Sequence, residues 1–230
     1  MAPQISKTLK LLIMLLIPIV TIIATVRLLA TDQYLAFEYG KPSFPPDPFG
    51  FTEEQRFDLA SSDIHYVRGH LPNDTLSKET LNSALVYNPR EVSHMADVRA
   101  VFRSVFRVWQ VALLLLFLMG LTLWQKRERA ALGSALQWGG ILTAGMILFV
   151  GLLAVFAWQF WFSTFHLFFF EPGSWLFYDT DTLIRLFPVK FWFDATLTVS
   201  VLSLIGGLFI ALFGRQWRIA IIKVTQKIQL

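Results

Sequence analysis

Two of the four histidines, His94 and His166, each lie where a hydrophilic segment meets a long apolar segment. Near neutral pH, imidazole is the side chain best suited to take up a proton and return it. If the apolar segments are membrane helices, both histidines lie at the same membrane depth, although they are far apart in the sequence. Their positions therefore predict proton-transfer chemistry at one face of a membrane.

Charged residues follow His94 at helical spacing. Apolar residues recur every three or four positions through residues 91–106, which predicts a helix running into an apolar span. Asp97, three residues after His94, is then within reach and could orient the ring. Arg103 and Arg107 come a turn or more later, where they could stabilise an oxyanion or simply anchor the helix at the membrane. The alternative for His94 is a solvated helix position.

His166 lies in a run of phenylalanines, where burial favours the neutral imidazole and so preserves a base. The alternative is a histidine that reaches towards lipid headgroups. Ser163, three residues earlier, could form a nucleophile and base pair with it, although this spacing arises easily by chance. A metal held by both histidines and a carboxylate is conceivable, but no close pair of ligands supports it. The sequence favours acid/base chemistry without a metal or other cofactor.

The elements that must position these residues are membrane helices. The chain has 230 residues, of which 55% are hydrophobic, and its mean hydropathy is +0.54, too apolar for a soluble domain of this size. Four segments have the roughly 20 residues needed to cross a hydrocarbon core about 30 Å thick. They run from about 9 to 30, 106 to 124, 136 to 158 and 195 to 213. We expect an all-α membrane protein forming a single integral membrane domain.

Charge in the short flanking segments predicts the orientation. These segments carry nine cations and only Glu128, a sum of +8; because the whole chain is +4, the remainder must be −4. Since Lys and Arg are retained in the cytoplasm, both termini should be cytoplasmic and both long loops extracytoplasmic in the plasma membrane. The cations are Lys7, Lys10, Lys126, Arg127, Arg129, Arg215, Arg218, Lys223 and Lys227. The basic charge therefore does not indicate nucleic acid.

The outer residues form two segments. Residues 31–105 are long enough for a partly helical cap, with a proline-rich extended stretch at 39–50 and a helix capped by Thr52. His65 and His70 in this cap are interpreted as surface residues. Residues 159–194 are rich in aromatic side chains and should lie at the membrane interface, with His166 on a continuation of the third span. Within them, Asp181 and Arg185 have the spacing of a helical ion pair.

Several of these motifs resemble a known family. The YGKPSFPPDPFGFT loop, the SHMADVRAVF segment, and the segments FHLFF and DTLIRLFPVKFWFDA resemble an integral membrane family first catalogued as a domain of unknown function. That family includes the bacterial lipoprotein intramolecular transacylases. The resemblance extends over nearly the whole chain, and the two histidine-bearing motifs are its most distinctive parts.

The resemblance implies an acyltransferase without a cofactor. Its substrate would be a diacylated lipoprotein, whose sn-2 acyl chain moves from the diacylglyceryl group on the N-terminal cysteine to the α-amine of that cysteine. In this reaction His166 would activate the amine as the base, and His94, oriented by Asp97, would protonate the leaving oxygen, with exchangeable roles. Tyr66, Arg103 or Arg107 could stabilise the oxyanion. The aromatic segment would form a lateral gate and acyl groove. The oligomeric state expected is a monomer.

Two other classes of function are open at this level. One is a membrane protein without enzymatic activity whose cap binds a lipid or a partner protein. The other is a proton-coupled transporter, which is disfavoured because the predicted spans lack interior acidic residues. The acylation state of lipoprotein N-termini in cells with and without this chain would separate an enzyme from a binder.

Overall fold

The fold is almost entirely helical. A computed structural model describes residues 3–228, with side chains described for residues 4–224; Lys227, which contributes to the predicted charge asymmetry, lies outside that side-chain range. Within the described residues the helices are α1 (Pro3–Leu29), α2 (Asp32–Tyr39), α3 (Glu53–Val67), α4 (Thr75–Lys78), α5 (Pro89–Gln125), α6 (Arg129–Phe156), α7 (Trp158–Phe169), α8 (Thr182–Leu186) and α9 (Val189–Ile228). Between α4 and α5, β1 (Thr80–Leu81) and β2 (Ala84–Leu85) form a small antiparallel hairpin.

Among the described helices, α1, α5, α6 and α9 are long and apolar enough to cross a membrane. Between 11% and 33% of the most apolar stretch of each is buried within the protein, so most of this surface faces outwards. Apolar surface on that scale is stable only against lipid. The expected four-span, all-α architecture is confirmed, and the chain is a multi-pass membrane protein.

One compact unit combines α1 up to Thr25, α5 from Arg107, α6 up to Leu152 and α9 from Val199. Two of its helices, α6 and α9, approach to backbone contact. A methyl group added at Gly140 would lie 2.3 Å from the carbonyl oxygen of Gly207, and one at Gly207 would lie 2.9 Å from the carbonyl oxygen of Gly140. Small residues of this kind allow helices to pack closely in a bilayer, where burial from water supplies no driving force.

The second unit contains α2, α3, α4, the hairpin, α7 and α8, with the adjoining ends of α1, α5, α6 and α9. Its best-defined local element is α3. The Thr52 side chain accepts a hydrogen bond from the Gln55 amide, and the Gln55 side chain accepts one from the Thr52 amide. This reciprocal capping box starts the helix at the predicted residue. The preceding proline-rich stretch is non-helical, as predicted.

The predicted continuation of the third span to His166 is wrong. Helix α6 ends at Phe156, Ala157 has a non-helical backbone (φ −145°, ψ 49°), and α7 starts anew at Trp158. No proline or glycine lies at this break, so the local sequence does not explain it. The Trp158 ring packs 5.4 Å from the ring of Phe193 on α9. His166 is therefore on a separate helix of 12 residues.

The predicted ion pair between Asp181 and Arg185 is also wrong. Asp181 instead accepts hydrogen bonds from Asn88 at 3.0 Å and Arg90 at 3.1 Å, which ties α8 to the start of α5. Arg185 makes two hydrogen bonds to Asp47 in the proline-rich stretch, at 3.0 and 2.8 Å. A planar guanidinium matches a carboxylate in this two-bond geometry.

Candidate active site

His166 has one ring nitrogen fixed and the other free. Its Nδ1 lies 2.7 Å from the carbonyl oxygen of Phe162, one turn earlier on α7. A carbonyl only accepts, so we infer that Nδ1 carries the proton, which leaves the lone pair of the neutral ring on Nε2. No described residue hydrogen-bonds to Nε2. The local helix geometry therefore sets up the tautomer in which Nε2 acts as a base.

The surroundings of His166 keep it unprotonated. Its ring lies 4.1 Å from the ring of Phe162, 4.7 Å from that of Trp175 and 5.8 Å from that of Phe170. Burial among these rings lowers the pKa of His166 below its usual 6.5, and the hydrogen bond to the Phe162 carbonyl opposes this only in part. At neutral pH His166 is a neutral base.

His94 is also enclosed by aromatic rings. It lies on α5, is only 8% exposed, and its ring is 5.0 Å from that of Phe170 and 5.3 Å from that of Phe177. Its Nδ1 is buried and has no hydrogen-bond partner among the described residues. Buried polar atoms in proteins are normally paired, so an unpaired Nδ1 indicates a position that a ligand or water completes.

Glu91 fixes the segment that carries His94. It is 1% exposed and lies one turn before His94. Its carboxylate accepts hydrogen bonds from the backbone N–H of Asn88 at 2.8 Å and of Leu183 at 2.7 Å. These bonds join the start of α5 to α8 and so hold His94 beside the aromatic segment. Sequence reasoning missed this residue, although an acidic side chain in a first helical turn is a recognisable signal.

The two histidines share one neighbour, Phe170. Because the His94 and His166 rings lie 5.0 Å and 5.8 Å from its ring, their centroids are at most 10.8 Å apart, the sum of the two distances. The structure therefore brings two imidazoles from remote parts of the sequence to the same aromatic ring.

Three other candidates from the sequence do not join this cluster. Asp97 is exposed and makes no hydrogen bond to His94, so the structure does not bring the hypothesised orienting carboxylate onto the ring. Arg103 is exposed on α5. Arg107 is exposed as well and belongs to the other compact unit.

Two further candidates have structural partners elsewhere. The Tyr66 hydroxyl donates to the carbonyl oxygen of Asn73 at 3.4 Å, and its ring is covered by the Arg99 guanidinium at 4.6 Å, so it packs within the cap. The Ser163 hydroxyl accepts a hydrogen bond from Gln159 at 3.4 Å. No hydrogen bond joins Ser163 to His166 among the described residues, so the structure does not form the nucleophile and base pair.

The remaining histidines lie in the cap. His65 Nε2 lies 3.0 Å from the carboxylate of Asp32, and its Nδ1 lies 3.2 Å from Nδ1 of His70. His70 is exposed, as predicted, whereas His65 is partly buried by its contact with Asp32. Within the range that the structure describes, no three His, Asp or Glu side chains converge as metal ligands.

Trp175 is a residue of the site that the sequence did not single out. Its ring lies 4.7 Å from that of His166, and its Nε1 is buried without a hydrogen-bond partner among the described residues. The chain has 8 tryptophans, most easily interpreted as an interfacial belt, so no local signal separates this one from the others. The turn predicted at Pro172 and Gly173 was the only nearby signal that Trp175 follows the end of a helix.

Fold and site together define an integral membrane protein in which two imidazoles lie among aromatic rings. The sequence profile of the family described as lipoprotein intramolecular transacylase Lit matches residues 11–192. The chain therefore belongs to the lipoprotein intramolecular transacylase Lit family, and it is an acyltransferase.

Comparisons with individual proteins agree. An uncharacterized protein from Aquifex aeolicus is 31% identical over 209 residues, covering 90% of this chain and 94% of its own length. The in meso structure of the lipoprotein intramolecular transacylase Lit from Bacillus cereus superposes with a TM-score of 0.78 at 18% identity, covering 99% of both chains. A variant of that protein with a histidine replaced by arginine gives a TM-score of 0.62 at 17% identity, covering 97% of this chain and 95% of that one. These likenesses confirm the fold.

Proposed function

We propose that this chain moves the sn-2 acyl chain of a diacylglyceryl-modified lipoprotein to the α-amine of the same N-terminal cysteine, giving a lyso-lipoprotein, and that His94 and His166 carry the protons. The observation that carries this proposal is the pairing of two imidazoles around Phe170. Each has one ring nitrogen that no described residue engages. Membership of the transacylase family supports the reaction class.

The proton requirements of the reaction explain why two histidines are needed. The α-ammonium, with a pKa near 8, must lose two protons to become an amide N–H. One proton must finish on the departing glyceryl oxygen, and the other leaves the site. In the proposed sequence His94 takes the first proton, and His166 takes the second through Nε2 as the amine attacks the ester carbonyl. His94 then protonates the glyceryl oxygen as the carbon–oxygen bond breaks.

No covalent enzyme intermediate is required, because the nucleophile and the ester belong to one substrate. The contribution of the protein is to hold the amine and the ester carbonyl about 3 Å apart, and to exclude water that would hydrolyse the ester. The aromatic enclosure of both histidines suits the second task. Because no covalent intermediate is needed, Ser163 has no role in the proposed mechanism.

Helix α7 is proposed as the lateral gate and acyl groove. Within α7 no residue is buried, and Phe160 and Phe168 are 63% and 81% exposed. A helix that exposes large apolar side chains to this extent requires lipid or acyl chains as the solvent of that surface. Because His166 lies on the same helix, a diacylglyceryl group lying against α7 would bring its ester to the base.

The orientation and assembly state also belong to the proposal. We infer from the cation excess of the short flanking segments that both termini are cytoplasmic, and that the site therefore opens at the extracytoplasmic face of the plasma membrane. The proposed unit of activity is a monomer, because both histidines and their aromatic enclosure come from one chain. Its partners are the lipoprotein substrate and the membrane, not nucleic acid.

The test compares His94→Ala and His166→Ala with His70→Ala, an exposed histidine of the cap that serves as a matched control. Each variant is expressed in cells whose lipoproteins otherwise keep a free α-amine, and N-terminal lipopeptides are measured by mass spectrometry. Loss of general acid or base catalysis costs about 10²–10⁴-fold in rate, so the lyso-form should fall below detection in both site variants. His70→Ala should retain it. Full conversion by either site variant, at equal amounts in the membrane, would refute the assignment.

A further inference from the structure

We infer that the indole N–H of Trp175 is the hydrogen-bond donor that stabilises the tetrahedral oxyanion of the acyl transfer. This assignment depends on the proposed function and names a residue that neither the sequence motifs nor the family comparison singles out. It starts from two independent observations: a buried donor without a partner, and its position against the candidate base.

The Trp175 donor is unsatisfied in the resting protein. Nε1 is buried, and no described residue accepts a hydrogen bond from it. An indole nitrogen only donates, so it requires an acceptor. Buried donors without an acceptor are rare in native proteins and each calls for a specific explanation. An acceptor that arrives with the substrate supplies one.

The position of Trp175 identifies that acceptor. Its ring lies 4.7 Å from the His166 ring, with an interplanar angle of 34°, and 6.0 Å from the Phe162 ring. His166 is not itself the acceptor, because its Nδ1 faces the Phe162 carbonyl and its Nε2 has no protein partner. When the amine attacks beside His166, the ester carbonyl oxygen is the strongest new acceptor in the pocket, and its charge grows in the transition state.

The backbone around Trp175 holds the donor in advance. Gly173 adopts a left-handed conformation with φ +87°, which favours glycine. The backbone N–H of Ser174 donates to the Glu171 carbonyl at 3.1 Å, and that of Leu176 donates to the Gly173 carbonyl at 3.3 Å. Trp175 thus lies within a hydrogen-bonded turn. Donors fixed before the reaction stabilise developing charge without a cost of reorganisation.

The donors suggested by the sequence are poorer candidates in this geometry. The Tyr66 hydroxyl already donates to a backbone carbonyl, and Arg103 is exposed. Trp175 is therefore the better candidate for stabilising the oxyanion.

In chemical terms, a carbon–nitrogen bond forms as the amine attacks, and the electron pair of the carbonyl moves onto its oxygen. The Trp175 N–H hydrogen-bonds to that oxyanion without transferring its proton. Collapse of the intermediate breaks the bond to the glyceryl oxygen, which receives the proton from His94. The products are an amide and a free glyceryl hydroxyl, and no further reactant is consumed.

The experiment removes the N–H while keeping the ring. Trp175 is replaced by benzothienylalanine, in which sulfur occupies the position of the indole nitrogen, and in a second variant by phenylalanine. Trp138→Phe is the matched control, because Trp138 is an exposed tryptophan on α6, in the other compact unit. Turnover of a synthetic diacylglyceryl lipopeptide is measured in phospholipid vesicles.

We expect kcat to fall about 10²-fold in both Trp175 variants, with KM changed little, and Trp138→Phe to retain activity. If the benzothienylalanine protein is as active as wild type, the N–H has no role and the inference is overturned, whatever the phenylalanine variant does. If the wild-type protein yields no lyso-lipopeptide, the proposed function fails. The inference then fails with it.

A second measurement does not depend on turnover. The Trp175 indole resonance is assigned in ¹⁵N-tryptophan-labelled protein by its loss in Trp175→Phe. A phosphonate analogue, in which a tetrahedral phosphorus replaces the reacting carbonyl carbon, is then added. A downfield shift of the Nε1 proton is expected from hydrogen bonding to the phosphonate oxygen. An unmoved resonance at saturating analogue would exclude the proposed contact.

Discussion

The link between Asp47 and Arg185 provides a quantitative prediction. Asp47 lies in the proline-rich stretch, and its side chain is completely buried. Its carboxylate accepts two hydrogen bonds from the Arg185 guanidinium, at 3.0 and 2.8 Å, and two from the backbone N–H groups of Phe51 and Phe49, at 2.7 and 3.2 Å. This carboxylate joins a segment without regular structure to α8, and we predict that Asp47→Asn destabilises the protein.

The magnitude follows from the pKa. Burial alone would raise the pKa of Asp47, but the hydrogen bonds from Arg185 and Phe51 outweigh it and lower the pKa from 3.8 to about 2. At about 1.4 kcal/mol per pKa unit, this corresponds to about 2 kcal/mol of folding free energy. Because the folded pKa is the lower one, the contribution is complete above pH 4–5 and disappears as the pH falls towards about 2.

The assay is thermal unfolding in detergent at pH 7 and at pH 3, with Asp58→Asn as the control, since Asp58 is exposed on α3. A loss of about 2 kcal/mol should lower Tm by about 4–8 °C at pH 7 for a chain of this size. The difference between Asp47→Asn and wild type should shrink at pH 3, where part of the wild-type contribution has gone. Equal melting temperatures at pH 7, or a difference that grows at acid pH, would refute the reasoning.

Two further predictions concern the base and the helix contact. Burial lowers the pKa of His166, so in ¹⁵N-histidine NMR spectra its ring should remain the neutral Nδ1–H tautomer at pH 7 and titrate only below pH 6.5. Activity should fall as the ring becomes protonated. Titration above pH 6.5 would contradict this prediction. Gly140→Ala should lower the free energy of unfolding by about 1–3 kcal/mol, because its methyl group would meet the Gly207 carbonyl oxygen at 2.3 Å. Gly145→Ala, whose methyl group would meet nothing within 4 Å, should unfold like wild type.

Features encoded locally could be predicted from the sequence. The four spans follow from apolar length alone, and α3 begins at its predicted cap because Thr52 and Gln55 are three residues apart. His94 was placed on a helix entering the second span because the apolar periodicity continues without a break. Each of these inferences needs only contacts within one or two helical turns.

Features that depend on distant residues could not be predicted. The break at Ala157 has no local signal, and the partner of Arg185 is Asp47, 138 residues away. Asp97 was expected beside His94 from its spacing alone, but the aromatic rings of the second outer segment enclose that histidine instead. Trp175 has the composition of an interfacial anchor, and only its geometry next to His166 distinguishes it.

The break at Ala157 also separates the local stability of the proposed base from that of the third span. A helix of 12 residues is marginal in water, and no residue of α7 is fully buried in the protein, so packing against protein supplies only part of its stability. The surrounding lipid must supply the rest. The bilayer is thus part of what stabilises the helix that carries His166. We expect detergent that replaces the lipid to alter α7 before it alters the spans.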